Sequence, residues 1–241
     1  HMIIFNFWNK YLKMSILVMK FGGTSVANLN RIKKLTEIVK KKIDKGQKKI
    51  ILVVSAMSGV TNKLVSEFKK VDSNVHNPEY DVILSTGEQH SSALISSMLN
   101  KNGIKSRSLL GWQVPVVTDC NHSKARIIEI NPSRMKKLMR SYDVLVMAGF
   151  QGLSRDNRIT TLGRGGSDTS AVALTVSMKS KNCEIYTDVD GIYSSDPRIV
   201  KNAKKINNIT YEEILELSSL GSKVLHPRSV ELAMKYDIKI H

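Results

Sequence analysis

Three short segments bring glycines together with hydroxyls and charged side chains. They are Lys20-Phe21-Gly22-Gly23-Thr24-Ser25, Ser55-Ala56-Met57-Ser58-Gly59-Val60-Thr61 and Gly163-Arg164-Gly165-Gly166-Ser167-Asp168-Thr169. Glycine lets a backbone approach phosphate oxygens closely, and N–H groups at a helix start attract anions. Lys20 in the first segment and Arg164 in the third add fixed positive charge. The pattern points to a polyphosphate ligand. Neither GxxxxGK[ST] nor GxGxxG occurs, which excludes a P-loop and an ordinary dinucleotide fold. Asp168 is suited to orient Lys20 or a metal-bound water, although Ser167 and Asp168 also suit the start of a helix as caps. Glu88, in Ser85-Thr86-Gly87-Glu88-Gln89, is an anion that an ammonium group would seek. It reads equally as a first-turn acid favoured by the helix dipole. The planar fork of Arg164 matches a carboxylate in a way that lysine cannot.

Positioning such groups takes a frame, and the hydrophobic pattern supplies one. Continuous apolar runs at 16–20, 50–55, 144–148 and 183–187 read as buried strands, with further strands near 105–109 and from 238 onward. Helical patterns fall between them, at 31–49, from about 61, at 81–100, from Pro132 to about Arg140, at 167–178, 211–217 and 227–236. Residues 111–119 and 126–130 read as extended, and 149–162 as a hairpin. Apolar strands alternating with helices predict an α/β fold, a three-layer αβα sandwich around a central, mainly parallel sheet. In such a sheet the glycine turns fall at the carboxyl ends of the strands, where ligands bind. His226-Pro227 reads as a helix start.

Composition narrows the possibilities. The 241 residues contain two cysteines, Cys120 and Cys183, which form no CxxC pair, and six scattered histidines with no HExxH. No disulfide framework or zinc site is expected. Net charge is +16, and the densest basic stretch, Arg31 to Lys49, has its apolar residues at helical spacing. It reads as the wet face of one surface helix, with no interleaved aromatics to stack on bases, so no specific nucleic-acid partner is expected. No apolar run approaches the roughly 20 residues of a membrane span, and no secretory signal is legible, so a cytoplasmic protein is expected. His1-Met2 reads as the remnant of an expression tag, and Met14 as an alternative start. Residues 1–14 are set apart from a single domain at 15–241.

The motifs also carry a family resemblance. VMKFGGTSVAN (18–28), VVSAMSGVTNKL (53–64), LSTGEQ (84–89), AGFQG (148–152), TTLGRGGSDTSAVAL (160–174), YTDVDGIYSSDPR (186–198) and GSKVLHPRSVELA (221–233) resemble the signature segments of aspartate kinases, in the family's order. The resemblance implies the amino-acid kinase fold, ATP and Mg²⁺ as cosubstrates, and transfer of a phosphoryl group to the side-chain carboxylate of L-aspartate. That reaction opens the diaminopimelate route to lysine, threonine and methionine. By position, it implies catalytic roles for Lys20 and Asp168, and aspartate binding by Thr61, Glu88, Arg164 and Ser167. ATP binding falls to Lys20, Gly22, Gly23, Ser25, Thr187, Asp188, Tyr193, Arg198 and Lys223. No protein-held metal is implied, since Mg²⁺ would arrive on the ATP phosphates. Members normally continue into ACT-type regulatory domains where this chain stops, and a homo-oligomer is implied for the full-length enzyme. Two other readings compete: a related kinase for another amino acid or a nucleotide, and a basic, non-enzymatic nucleic-acid-binding fragment.

Overall fold

The first strand, β1 (Ile16–Phe21, ILVMKF), divides its side chains between two layers. Val18 joins one core cluster and Met19 and Phe21 the other, as the two-residue period of a strand requires. The same alternation continues in β2 (Lys49–Val54), where Ile51 and Val53 face one layer and Ile50, Leu52 and Val54 the other. Burial on both faces is what an uninterrupted apolar strand encodes.

The computed structural model describes residues 15–196, 199–219 and 224–241. After β1 come a 3₁₀ turn (Gly23–Val26), α1 (Leu29–Asp44) and β2, then α2 (Val60–Lys69), α3 (Pro78–Lys101) and β3 (Ser106–Leu109). Next are β4 (Val116–Thr118), β5 (Ile127–Ile130), α4 (Ser133–Leu138), β6 (Val144–Ala148), β7 (Gln151–Ser154) and β8 (Ile159–Thr161). The chain continues through α5 (Gly166–Ser177), β9 (Asn182–Tyr186), β10 (Ile192–Tyr193), β11 (Lys205–Ile206), α6 (Tyr211–Ser219), α7 (Pro227–Lys235) and β12 (Lys239–Ile240).

Six strands form the central sheet in the order β12-β9-β1-β2-β6-β3, and all its pairings are parallel. Ile32, Leu35 and Val39 of α1 and Ile95 and Leu99 of α3 cover one face. Ala171, Val172 and Leu174 of α5, Ala233 of α7 and Met135 of α4 cover the other. The expected three-layer αβα sandwich is therefore present. From β1 the chain steps to β2 on one side, whereas β9 and β12 are added on the other. The order thus reverses beside β1, and ligands of open α/β sheets settle at such a reversal. A second sheet has the order β5-β4-β7-β8, and its β7–β8 hairpin pairs Gln151 with Thr161. Among the described residues no helix is long and apolar enough to cross a membrane.

Several expected boundaries shift for identifiable reasons. Helix α1 stops at Asp44, because Gly46 takes a φ of +97° and Lys49 already belongs to β2. Helix α3 begins three residues earlier than its apolar periodicity suggests. Asn77 caps it by accepting a hydrogen bond from Glu79 N (2.9 Å), and Pro78 occupies the first turn, where its missing N–H costs nothing. Glu88 lies deep inside α3, past the first turn even of the helix expected at 81–100, so the first-turn reading of this acid is wrong. Pro132 flanks α4 as its cap rather than standing inside its first turn, and the helix ends at Leu138. Only 116–118 of the expected extended run 111–119 forms a strand. The third glycine turn also leaves β8 of the second sheet, not a strand of the central one.

Candidate active site

The side-chain alternation of β1 puts Lys20 on the same face as Val18, the face covered by α5. There its ammonium lies 2.6 Å from Oδ1 of Asp168, in the first turn of α5. Both residues are largely buried, at 9% and 8% exposure. Oδ1 of Asp168 is thus committed to the Lys20 ammonium as a close, buried ion pair. The Lys20 ammonium also flanks the first glycine turn, since a Cβ at Gly22 would lie 3.4 Å from it. Gly22 N donates to Tyr186 O (3.1 Å), which carries the β1–β9 pairing into the turn.

The first and second turns press together. A Cβ at Gly23 would meet the Ala56 carbonyl at 2.9 Å, so only glycine permits this approach. Ala56 in turn donates its N–H to Glu88 Oε1 (3.0 Å), and Gly87 lets α3 come against the Ala56 methyl. Glu88 is 3% exposed, and its Oε2 has no hydrogen-bond partner. Burial pushes its carboxyl from the ordinary 4.5 up to about 7, against the opposing pull of the Ala56 hydrogen bond. A buried acid with one free oxygen is poised for a cationic group to bind and hold it ionised.

That shift has a measurable consequence. Between pH 4.5 and 7 the folded chain keeps a proton on Glu88 that the unfolded chain has released. The stability present below pH 4.5 is therefore lost as pH rises toward 7, by about 3 kcal/mol as an upper bound. Glu88→Gln should flatten that part of the stability–pH curve in denaturant titrations. An unchanged slope would mean that Glu88 ionises normally in the fold.

The third turn reaches the same place from the second sheet. A Cβ at Gly149, just beyond β6, would lie 2.9 Å from Ser167 Oγ, so Ser167 sits against the carboxyl end of the central sheet. Gly165 has a φ of +69°, and a Cβ there would overlap the His226 side chain. Arg164 between these glycines is exposed. Thr61 is half-buried in the first turn of α2, whose cap, Gly59, has a φ of +83°.

Lys20, Gly22, Gly23, Glu88, Ser167 and Asp168 are thus linked contact by contact, and Arg164 stands on the turn that carries the last two. Thr187 and Asp188 follow directly on Tyr186, whose carbonyl the Gly22 N–H holds against the first turn, and Tyr193 belongs to β10. Thr187 lines an 850 Å³ cavity with Tyr186, Asp190, Gly191 and Lys205. Asp188 and Tyr193 are not in that lining; Thr187 Oγ1 donates to Asp188 Oδ1 (3.0 Å), and Tyr193 OH donates to Asp190 (3.1 Å). Ser25 belongs to the 3₁₀ turn and donates its N–H to Gly22 O (2.9 Å). Arg198 and Lys223 lie outside the described residues. A separate 580 Å³ hollow between β5, α5 and α7 contains none of the expected site residues. Among the described residues no three His, Cys, Asp or Glu side chains gather into a metal-holding group.

One neighbour of the site was read from sequence only as a helix start. His226 does cap α7, with Arg228 N donating to its Nδ1 (3.4 Å), but its side chain also packs against Gly165. Burial and the Arg228 charge lower its pKa from the usual 6.5. The His-Pro pair signals a cap; nothing local in the sequence signals the contact across 61 residues.

The model of the amino acid kinase family matches residues 15–241. The chain belongs to that family. The chain is 51% identical over 228 residues to an aspartokinase of Rickettsia felis, covering 93% of the chain and 57% of the relative. Its fold is similar to the crystal structure of aspartate kinase from Synechocystis, with 44% identity, a TM-score of 0.82, and coverage of 93% of this chain and 37% of that one. Aspartokinase III of E. coli, in complex with aspartate and ADP, is 28% identical with a TM-score of 0.80, covering 93% and 61%. The chain spans little more than half the length of the curated relatives it matches.

Proposed function

We propose that residues 15–241 are the catalytic unit of an aspartate kinase, transferring the γ-phosphoryl group of ATP to the β-carboxylate of L-aspartate. The observation that carries this reading is Glu88. A buried carboxylate with an unpartnered oxygen, where the first two glycine turns press together, suits a substrate with an ammonium group. A nucleoside monophosphate would bring no cation to that place. The aspartate kinase signatures and the aspartate and ADP bound by the E. coli relative support the same choice.

In this reading Glu88 holds the α-ammonium group, while Arg164 holds the α-carboxylate with Thr61 and Ser167 beside it. The β-carboxylate is left facing the γ-phosphate. With a reference pKa near 3.9 it is already ionised at neutral pH and needs no general base. One carboxylate oxygen forms a bond to the γ-phosphorus as the bond to the bridging oxygen of ADP breaks, and ADP leaves with that electron pair. The barrier is the approach of an anion to a polyanion, so catalysis rests on alignment and fixed positive charge.

Lys20 supplies that charge, assisted by the N–H group of Gly23, while the N–H groups of Gly22 and Ser25, committed to Tyr186 O and Gly22 O, hold the turn in shape. Asp168 orients the Lys20 ammonium rather than removing a proton. Mg²⁺ fits as a passenger on the ATP phosphates, since the buried Asp168 carboxylate beside Lys20 is a hard oxygen donor suited to a metal-bound water. When bound it would add positive charge at the phosphoryl oxygens. Thr187, Asp188 and Tyr193, with Arg198 and Lys223, serve the nucleoside end of ATP.

An acceptor panel tests this reading. ADP release should depend on L-aspartate and stay at background with glutamate, N-acetylglutamate or UMP. Release driven by one of the others would assign the chain to a different kinase of the same fold. Salt-sensitive binding to duplex DNA without turnover would favour the non-enzymatic alternative.

A further inference from the structure

Asp81 is fully buried in the first turn of α3, yet it takes no part in the contacts around Lys20. Its carboxylate gathers donors from two other segments. Ser123 N donates to both oxygens (3.0 and 3.1 Å), and Thr161 Oγ1 donates to Oδ1. His122 Nδ1 lies 2.8 Å from Oδ2. A carboxylate withdrawn from water is stable only when so surrounded, and removing one donor exposes the desolvation cost of the rest.

These donors flank the turn that carries Arg164. Thr161 ends β8, three residues before Arg164, and its carbonyl accepts from Ala125 N (2.9 Å). Gly163 packs over the Ser123 carbonyl, where a Cβ would sit at 2.9 Å. Both Ser123 and Gly163 hold positive φ, at 66° and 74°; glycine takes this up freely, whereas Ser123 needs its neighbours to hold the bend. From the opposite side Arg228 of α7 donates to Leu162 O (2.7 Å) and Lys124 O (3.3 Å). Asp81 and Glu88 also share one stripe of α3, two turns and roughly 10 Å apart along the helix. A single rigid element therefore touches both the ammonium-seeking acid and the footing of the arginine.

We propose that Asp81 is a positioning residue for the acceptor subsite. By tying the 119–125 loop and the end of β8 to α3, it fixes the Arg164 turn at a set distance from Glu88. This rests on the reading of Arg164 as the group that holds the substrate carboxylate, because only then does its placement decide which acceptor fits. Asp81 itself touches no substrate.

The test compares Asp81→Asn, Thr161→Val and Thr161→Ser in the chain, with steady-state kinetics and site-resolved amide exchange. Thr161→Val keeps the shape and removes one donor, and Thr161→Ser restores the hydroxyl. Thr161→Val should raise the KM for aspartate by about tenfold, the scale of a small misplacement of a binding group. The KM for ATP should stay within about twofold, and Thr161→Ser should recover the original value. In an Arg164→Lys background Thr161→Val should add nothing, since the two act through one group. Amide exchange should quicken at Ser123 and residues 163–166 in both Asp81→Asn and Thr161→Val, while β1, β2 and β6 stay protected. An unchanged aspartate KM, equal losses for both substrates, or protection lost across the whole sheet would overturn the proposal. If no aspartate turnover occurs at all, the proposed function fails, and the exchange pattern alone decides whether Asp81 anchors the turn.

Discussion

Lys20→Ala should lower kcat by about 10²–10³-fold, the usual scale for losing one preorganised charge stabiliser. The expectation follows from its place: the ammonium stands at the end of a central strand, beside the Gly22 turn and against Asp168. Breaking a buried ion pair leaves the partner charge stranded, so the single variant also risks destabilising the fold. The double variant Lys20→Ala with Asp168→Asn removes that stranded charge. Its melting temperature should recover while its kcat stays low. Near-normal kcat in a folded Lys20→Ala chain would remove Lys20 from the mechanism.

Glu88→Gln and Arg164→Lys carry the second large effect. The first keeps shape and removes charge, and the second keeps charge and removes the fork. Each should raise the KM for aspartate by an amount equivalent to about 1.5–3 kcal/mol, the range for a hydrogen bond to a charged group. The KM for ATP should change far less. Succinate lacks the ammonium group, so it should be a poor acceptor for the unaltered chain and lose nothing further in Glu88→Gln. The raised pKa of Glu88 adds a sign. Aspartate should bind more tightly as pH rises through about 7, because binding requires the ionised acid, and Glu88→Gln should abolish that trend. Weakened ATP binding with aspartate untouched would sink the assignment of Glu88.

The central sheet was legible because its strands are continuous apolar runs, and the residues that could do chemistry were legible because they stand in glycine turns. Relations between those residues are legible only in part. Asp168 is expected to orient Lys20, and the ion pair is present, but which face of β1 carries Lys20 and that α5 covers it are matters of tertiary packing. The first-turn reading of Glu88 fails because the helix begins at Pro78, ten residues upstream. Its burial follows from that depth and from Gly87, which lets α3 close on Ala56. The third turn was grouped with the first two by composition alone. The structure brings it in from a second sheet, and the sequence held no local sign of that sheet beyond the 149–162 hairpin. Asp81 and His226 carry no functional signal in the sequence for a like reason: their contacts across the site lie 41 to 80 residues away.

The proposed reaction puts the phosphoryl group on a carboxylate of aspartate, and the product's own reactivity distinguishes that acceptor from others. An acyl phosphate is captured by hydroxylamine as a hydroxamate, whereas a phosphate ester or free phosphate is not. Incubating the chain with ATP, Mg²⁺, L-aspartate and hydroxylamine should yield aspartate β-hydroxamate, identified by mass and fragmentation, in step with ADP release. ADP release without hydroxamate, or a hydroxamate at the α-carboxyl group, would contradict the account.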